Sequence, residues 1–247
     1  MSTFAFMGAG EFESWHADID RRLISGRDGG VLVLATASAP EGDDVYERWV
    51  AKGLAHYEAL GIDATAPMLR TIEDAHDPEV VDALQGAALV FFSGGNPAYL
   101  SRVLAGSPFW RLLQERVADD RTAYAGCSAG VACLSDPTYD SDTEDFERVW
   151  APGLGYFPEV LFAPHWDIID GWIPGARAFI TASAPANGTL IAIDENTAMV
   201  GDGSSWDVHG VGGVYLYQAP SWVAEHRDGA SFSLPLSVDA EGATAGG

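Results

Sequence analysis

A Gly-X-Ser-X-Gly pentapeptide, GCSAG, lies at residues 126–130, where it ends a short apolar run. An alanine-rich segment typical of a helix follows it. This pattern is typical of a nucleophile elbow, in which a strand turns sharply into a helix and the residue at the apex has a strained backbone. Glycines are needed on both sides because no side chain fits where strand and helix cross. The pattern predicts nucleophilic catalysis by Ser128.

Cys127 is a second candidate nucleophile beside Ser128. Ser128 has a glycine two positions before it and two positions after it, whereas alanines occupy the corresponding positions around Cys127. The spacing of the glycines therefore favours the serine. Cys127 and Cys133 are close together near a predicted helix start, a spacing unsuited to a disulfide or to a paired metal site.

A serine hydroxyl needs a base to become a nucleophile, and histidine is the usual one. His165 directly follows an apolar run, which places it at the carboxyl end of a predicted strand, from where a loop residue can reach Ser128. His209, beside Asp207, is the competing candidate. His56 lies on a surface-like position of a predicted helix, so we expect it to be solvated.

The base needs a carboxylate to fix its tautomer, and the sequence offers two sources. Glu195 follows the apolar run 190–193, again at a predicted strand end, while several acids lie in the segment 135–147. For the oxyanion, the backbone N–H groups of Ala129 and of Gly95, in a glycine-rich turn, can converge on one point. The residues alone leave the choice of acid open.

Alternating apolar and amphipathic segments must position these residues. Strands are predicted at 4–7, 31–35, 66–69, 88–92, 160–163, 190–193 and 198–200. Helices are predicted at 11–23, 43–60, 78–84, from Pro97 to Leu104, from Pro108 to Ala118 and within 170–183. Such alternation predicts an α/β fold with a mostly parallel sheet covered on both faces. Because ligands bind beyond the carboxyl ends of such strands, the predicted elbow and the turns share one crevice.

Three segments depart from this alternation. The acidic stretch 135–147 is predicted to be an exposed loop, and the glycine-containing stretch 206–217 a kinked strand or a hairpin. The tail 236–247 is poor in hydrophobic residues and is predicted to fray. We therefore expect a single α/β domain over 1–235.

The composition limits the possible partners. The chain has 247 residues, 47% of them apolar, and 36 acidic against 13 basic residues give a formal charge of −23. Nucleic acid is an unsuitable partner because its phosphates need clustered Lys and Arg. We find neither a signal-peptide pattern nor an apolar run of membrane-spanning length, so we expect a cytoplasmic protein without membrane contact.

Four short motifs occur in a fixed order: FSGGN at 92–96, GCSAG at 126–130, PH at 164–165 and IDENTA at 193–198. In this order they resemble the serine peptidase family of dipeptidase E (aspartyl dipeptidase) and cyanophycinase, over roughly the first 200 residues. The resemblance implies a three-layer α/β/α fold like that of class I glutamine amidotransferases, with serine in place of the usual elbow cysteine. A homodimer is the expected assembly.

The resemblance also assigns roles: nucleophile Ser128, base His165, oxyanion donors Gly95 and Ala129. The two branches of the family differ in the acid. Cyanophycinase-like members take a glutamate from the Ile-Asp-Glu-X-Thr-Ala motif, which is Glu195 here, whereas dipeptidase E takes an aspartate from the loop beyond the elbow, where Asp142 is nearest. We prefer Glu195.

The resemblance implies a serine peptidase, independent of metal and of any other cofactor, that hydrolyses short peptides through an acyl-enzyme at aspartyl or isoaspartyl bonds. Arg177 is a candidate partner for a substrate carboxylate, and Asn96 a further substrate-binding candidate. The stretch 166–174 lacks the arginine-rich run of cyanophycinases, which argues against cyanophycin as the substrate. The alternatives are an amidotransferase-like amidase that uses Cys127 and a noncatalytic ligand-binding module.

Overall fold

The computed structural model describes residues 3–143 and 145–238. The predicted frayed tail, 236–247, therefore lies outside the described residues from position 239 onward. The described strands are β1 (Phe4–Met7), β2 (Gly30–Leu34), β3 (Ala64–Thr65), β4 (Ala87–Phe92), β5 (Ala123–Cys127), β6 (Thr138–Tyr139), β7 (Trp150–Ala151), β8 (Val160–Ala163), β9 (Thr189–Ile193), β10 (Thr197–Gly201), β11 (Ser205–Gly210), β12 (Gly213–Gln218), β13 (Ser221–Arg227) and β14 (Ser231–Ser233).

The described α-helices are α1 (Ala17–Ile24), α2 (Asp43–Leu60), α3 (Pro78–Ala83), α4 (Pro97–Leu104), α5 (Pro108–Ala118), α6 (Ala129–Ala132), α7 (Ile169–Trp172) and α8 (Ala176–Ala182). Three of them begin at a proline that directly follows a polar N-cap residue. The side chains of Asp77, Asn96 and Ser107 each accept a backbone N–H of the first turn, where proline is tolerated. No helix within the described residues combines the length and the apolar character that crossing a membrane requires.

An eight-stranded sheet forms the centre of the fold, in the order β14-β11-β10-β1-β5-β4-β2-β3. From β1 to the β3 edge the strands are parallel to their neighbours. On the other flank β10, β11 and β14 are paired antiparallel. The prediction of an α/β fold with a large, mostly parallel sheet is confirmed, and the sheet is mixed because of this antiparallel flank.

A second sheet, in the order β13-β12-β9-β8, packs against one face of the large sheet. The rings of Phe6 in β1 and Phe162 in β8 meet edge to face across this interface, with centroids 5.0 Å apart. Helix α8 covers the opposite face of the second sheet through Ile180. The expectation of three layers did not include this sheet, which takes the place of covering helices over part of the large sheet.

The side chains of β1 show how the core is divided. Phe4 and Phe6 point to the face covered by the second sheet and by α4, α5 and α6, whereas Ala5 and Met7 point to the face covered by α1 and α2. All four residues are buried. Full burial of a ring such as that of Phe6 contributes roughly 1.5–3 kcal/mol, and a shift of one residue would move it to the wrong face.

The predicted third strand at 66–69 is wrong. Strand β3 comprises only Ala64–Thr65, and Pro67, which has no backbone N–H, follows it closely. The N–H of Leu69 instead donates to the carbonyl of Pro67, which marks a turn. The first helix is also shorter than predicted: α1 starts at Ala17, after a short 3-10 turn.

The stretch 206–217 is divided between β11 and β12, which belong to different sheets. It is therefore not a hairpin, because the two strands do not pair with each other. The chain crosses at Gly212, where a Cβ atom would lie 2.4 Å from the Cβ of Asp194. The described part of the acidic segment 135–147, which leaves out residue 144, is a loop apart from β6, and β6 pairs with β7 in a two-stranded ribbon.

Candidate active site

Ser128 lies at the sharp turn between β5 and α6, with φ 53° and ψ −110°. A Cβ atom at Gly126 would lie 2.1 Å from the carbonyl oxygen of Gly130, and one at Gly130 would lie 2.4 Å from that of Phe92. Both glycines are therefore required by the close approach of the strand and the helix. The strained backbone presents the Ser128 side chain beyond the sheet, as the pentapeptide predicted.

His165 connects Ser128 to Glu195. Its Nε2 atom lies 2.8 Å from Ser128 Oγ, and its Nδ1 atom lies 2.8 Å from Glu195 Oε1. A carboxylate that accepts the Nδ1 proton leaves the Nε2 lone pair directed at the hydroxyl, which is the tautomer a general base needs. The backbone N–H of Glu195 donates to the Asp167 carboxylate at 2.9 Å, which anchors the turn that carries the acid.

The register of the second sheet brings His165 and Glu195 together. Strands β8 and β9 are parallel, with Ala163 opposite Ala192. His165 lies two residues after Ala163, and Glu195 lies three residues after Ala192. The backbone N–H of Trp166 donates to the carbonyl of Ile193 at 3.0 Å and extends this pairing. Neighbouring strand ends therefore supply the histidine and the carboxylate.

The competing candidates lie elsewhere. Asp142 is exposed in the loop, and its backbone N–H donates to the Asp140 carboxylate. Both ring nitrogens of His165 are already hydrogen-bonded, so neither is left for Asp142. Asp207, the neighbour of His209, uses its carboxylate to pair with an arginine and a serine on the protein surface. Neither alternative forms a chain of contacts to Ser128.

Gly95 and Ala129 present backbone N–H groups beside the nucleophile. Neither group donates to another atom within residues 3–143 and 145–238. Gly95 has φ +136°, and a Cβ atom there would lie 2.3 Å from the backbone of Ala37, so the turn requires glycine. Gly95 lines the same pocket as Ser128. Both N–H groups are available to an oxyanion.

Sequence reasoning missed Glu11, a buried carboxylate beneath the elbow. Its Oε1 atom accepts the backbone N–H of Gly94 at 2.9 Å, and its Oε2 atom accepts the thiol of Cys127 at 3.2 Å. The sequence does contain a signal for this position, because Glu11 directly follows the glycine turn at the carboxyl end of β1, where residues near the site are expected. The sequence pattern instead places Glu11 at the polar start of the helix predicted at 11–23.

Cys127 is unsuited to act as the nucleophile. Its side chain is fully buried among residues of the face covered by α1 and α2. Burial, followed by the nearby Glu11 carboxylate, raises the pKa of the Cys127 thiol well above its usual value. The thiolate is the reactive form of cysteine, so a raised pKa and lack of access make this thiol inert. Both cysteines are free, as expected.

The side chain of Asn96 is engaged within the protein. Its Oδ1 atom accepts the backbone N–H of Tyr99 and caps α4, while its Nδ2 atom donates to Asp140 at 2.7 Å. It therefore links the glycine turn to the acidic loop. This position beside the site makes Asn96 a support for the turn as well as a substrate-binding candidate.

Arg177 does not line the pocket that contains Ser128, so its expected role in binding a substrate carboxylate gains no support from the structure. Its guanidinium donates to the carbonyl of Asp167 at 2.6 Å and lies over the ring of Trp166. It lines a different cleft, which also contains Trp222. Arg177 and the pocket-lining Ala176 are adjacent on α8, and adjacent residues of a helix point in different directions, so the two side chains line different clefts.

A pocket with a volume of about 250 Å³ opens beside the candidate nucleophile. The residues that line it are mainly apolar and come from the acidic loop, β7, α7 and α8. They are Gly95, Ser128, Tyr139, Asp140, Ser141, Thr143, Phe146, Val149, Trp150, His165, Ile169, Trp172, Ile173, Ala176, Phe179 and Ile180. Its size lies just below the roughly 300–1,000 Å³ typical of small-molecule sites, which suits a short substrate.

A separate polar cluster is buried on the face of the large sheet that α1 and α2 cover. His56, expected to be solvated, is buried, and its Nε2 atom lies 2.8 Å from Asp20, which also lies 2.9 Å from His16 Nδ1. Burial raises the pKa of Asp20, but the hydrogen bonds with His16 and His56 outweigh it and hold this pKa below its ordinary value.

The same three residues are the group with metal-ligand character among the described residues. Ligand atoms of one tetrahedral zinc ion lie roughly 3.3 Å apart, given metal–ligand distances near 2 Å. The separations of 2.8 and 2.9 Å instead match a hydrogen bond between Asp20 and His56 and an ion-pair contact between Asp20 and His16, so the cluster fits a structural network.

A serine at a strained elbow, bonded to a histidine that is bonded to a carboxylate, on an α/β fold, is the arrangement of a serine-type peptidase. The model of peptidase family S51 matches residues 2–209. The chain therefore belongs to peptidase family S51, which confirms the resemblance to dipeptidase E and cyanophycinase and the classification as a serine-type peptidase.

Among curated proteins, the chain is similar to cyanophycinases from Nostoc sp. strain PCC 7120 and from Trichormus variabilis, with 25% identity to each over 189 residues. The match covers 74% of this chain and 62% of each cyanophycinase. The chain thus spans less than two thirds of the length of these relatives.

The solved structures that resemble this chain include two that cover more than nine tenths of it. A peptidase from an acI-B1 Actinobacterium has 30% identity and a TM-score of 0.83, covering 94% of this chain and 96% of that one. A Listeria monocytogenes EGD-e protein provisionally described as peptidase E has 16% identity and a TM-score of 0.54, and the match covers 92% of this chain and 99% of that one. The second likeness supports the fold alone.

Proposed function

We propose that this chain hydrolyses short peptides through an acyl-enzyme, with Ser128 as the nucleophile, His165 as the proton carrier and Glu195 as the acid that orients the histidine. One observation carries the proposal: the continuous chain of 2.8 Å contacts from Ser128 through His165 to Glu195 at a strained elbow. Membership of a family of serine-type peptidases supports it.

The proposed reaction has two halves. Ser128 Oγ attacks the peptide carbonyl carbon while His165 Nε2 takes the hydroxyl proton, and the oxyanion forms beside the N–H groups of Gly95 and Ala129. The tetrahedral intermediate breaks the C–N bond, and His165 gives its proton to the departing amine. Water then attacks the acyl-enzyme with His165 again as the base, which releases the acid and frees the serine.

The family resemblance supplies the finer expectation of an aspartyl or isoaspartyl acyl group. Cyanophycinase activity belongs to the relatives, and the missing arginine-rich run after His165 speaks against it here. Arg177 does not line the pocket, so it gives no support to recognition of a substrate carboxylate there. A cytoplasmic location and a homodimer remain predictions from the sequence.

A fluorophosphonate probe tests the nucleophile directly. We expect stoichiometric labelling of Ser128 in the purified chain and hydrolysis of at least one dipeptide in a broad panel. The Ser128→Ala variant should lose both while keeping the circular dichroism spectrum. Dipeptide hydrolysis by Ser128→Ala at the wild-type rate would eliminate the mechanism, and wild-type protein that neither labels nor hydrolyses would favour a noncatalytic binding module.

A further inference from the structure

One wall of the pocket beside Ser128 is a stack of three aromatic rings. The ring of Phe179 is stacked on that of Phe146 with centroids 4.5 Å apart and an interplanar angle of 7°. Trp150 stacks on Phe179 at 5.6 Å and 21°. Ala176 and Ile180, both buried, belong to the same lining. Packed rings form a rigid apolar surface that side chains of similar chemistry can contact.

The facing residues come from α7 and the segment after it. Trp172 contacts the ring of His165 with centroids 4.9 Å apart, and Ile169 and Ile173 lie in the same lining. The Trp172 side chain is 58% exposed. Contiguous apolar patches, unlike single exposed residues, mark ligand-binding grooves, and Trp172 continues the apolar lining of this pocket to its rim. The apolar lining therefore reaches the histidine that would protonate the leaving group.

The charges around the pocket disfavour an anionic side chain. Within the described residues no lysine or arginine lines it, and Asp140 contributes a carboxylate. The arginine expected to pair with a substrate carboxylate, Arg177, lines the other cleft, where its guanidinium donates to the backbone carbonyl of Asp167. An aspartate side chain would thus lose hydration without gaining a cation, and it would approach a like charge.

From this lining we infer that the pocket binds an uncharged apolar or aromatic side chain next to the scissile bond and that the chain cleaves such peptides in preference to aspartyl peptides. The inference rests on the proposed function, since it assigns a substrate class to the same site. It differs from the family-based expectation of an aspartyl or isoaspartyl group.

A matched dipeptide series tests the preference. The purified chain is assayed with Phe-Gly, Leu-Gly and Gly-Phe against Asp-Gly, Gly-Asp and isoaspartyl-glycine, at equal ionic strength. We expect kcat/KM for the best apolar dipeptide to exceed that for every acidic dipeptide at least tenfold. An acidic dipeptide that equals or exceeds the apolar ones would overturn the inference.

Adding a cation to the pocket gives a second test. Ile173→Arg should lower kcat/KM for the apolar dipeptides at least fivefold and raise the ratio of acidic to apolar cleavage. Ala178→Arg is the matched control, because Ala178 is exposed in the other cleft and should keep the wild-type ratio. Thr143→Arg, in the loop lining, replaces Ile173→Arg if that variant does not fold. An unchanged ratio in the folded pocket variant would also contradict the inference.

Labelling separates the two levels of the proposal. Failure of the fluorophosphonate probe to label Ser128, with no dipeptide cleaved, would overturn the proposed function itself. Labelling of Ser128 together with preferred cleavage of acidic dipeptides would leave the serine mechanism intact and overturn only the apolar preference.

Discussion

The side chain of Glu11 accepts the backbone N–H of Gly94 at 2.9 Å, although 83 positions separate the two residues. Gly94 precedes Gly95, whose N–H is proposed to bind the oxyanion, and a Cβ atom at Gly94 would lie 3.4 Å from that of Ser128. The second carboxylate oxygen of Glu11 holds Cys127, which precedes Ser128. One buried acid therefore joins the two segments that frame the site.

We predict that Glu11 positions the glycine turn. Glu11→Ala leaves the buried N–H of Gly94 unpaired, at a cost of roughly 1–3 kcal/mol, and should lower kcat at least tenfold with a smaller change in KM. Glu11→Gln keeps an amide oxygen for that N–H and should restore most of kcat. Stopped assays on folded variants measure the effect, and a full kcat in Glu11→Ala would reject the role.

The identity of the acid can be tested by a pair of amide substitutions. Glu195→Gln keeps the shape of the side chain but removes the negative charge that stabilises protonated His165, so kcat should fall roughly 10²–10⁴-fold. Asp142→Asn changes an exposed loop residue and should retain nearly all activity. The kcat values of the two variants decide the point, and a larger loss in Asp142→Asn would reverse the assignment.

Thiol reagents should leave the enzyme active. Cys127 and Cys133 are fully buried, and burial raises the pKa of the Cys133 thiol to about 12. Neither therefore offers an accessible thiolate to iodoacetamide at neutral pH. Intact-mass spectrometry should show no alkylation of the native chain and two alkylations after denaturation. Native alkylation accompanied by loss of activity would instead support an amidase that uses Cys127.

Asp20 should stabilise the fold in a pH-dependent manner. Because its pKa in the folded chain is held below the ordinary value of 3.8, its contribution is present above that value and is lost as the pH falls through the folded pKa. Asp20→Asn should cost roughly 2–4 kcal/mol of unfolding free energy at pH 7 and less near pH 3.

Urea unfolding at pH 7, 5 and 3 measures the effect of Asp20→Asn. Asp18→Asn, on the same helix but with an exposed side chain, is the control and should leave the unfolding midpoint unchanged. A difference between Asp20→Asn and wild type that stays constant down to pH 3 would contradict the predicted titration.

The elements that carry Ser128, His165 and Glu195 could be predicted because the signals are local. An apolar run followed by a glycine turn or a polar residue marks the carboxyl end of a strand, and each of the three residues follows such a run. Helix α2 has the predicted bounds for the same reason, since its periodic pattern ends at Gly61.

The sequence did not predict the second sheet or the contacts of Glu11 and Arg177, because these depend on long-range pairing. Strand β9 joins β8 and β12, while the next strand, β10, joins β1, and no local pattern marks that change of sheet. Likewise, the direction of Arg177 depends on how α8 lies on the second sheet. Contacts between distant segments decided these features.

The three residues of the proposed mechanism are carried by different sheets: Ser128 follows β5 of the large sheet, whereas His165 follows β8 of the small one. Catalytic alignment therefore depends on the aromatic interface at Phe6 and Phe162 that holds the sheets together. A displacement between the two sheets that kept every hydrogen bond within each sheet would therefore separate Ser128 from His165.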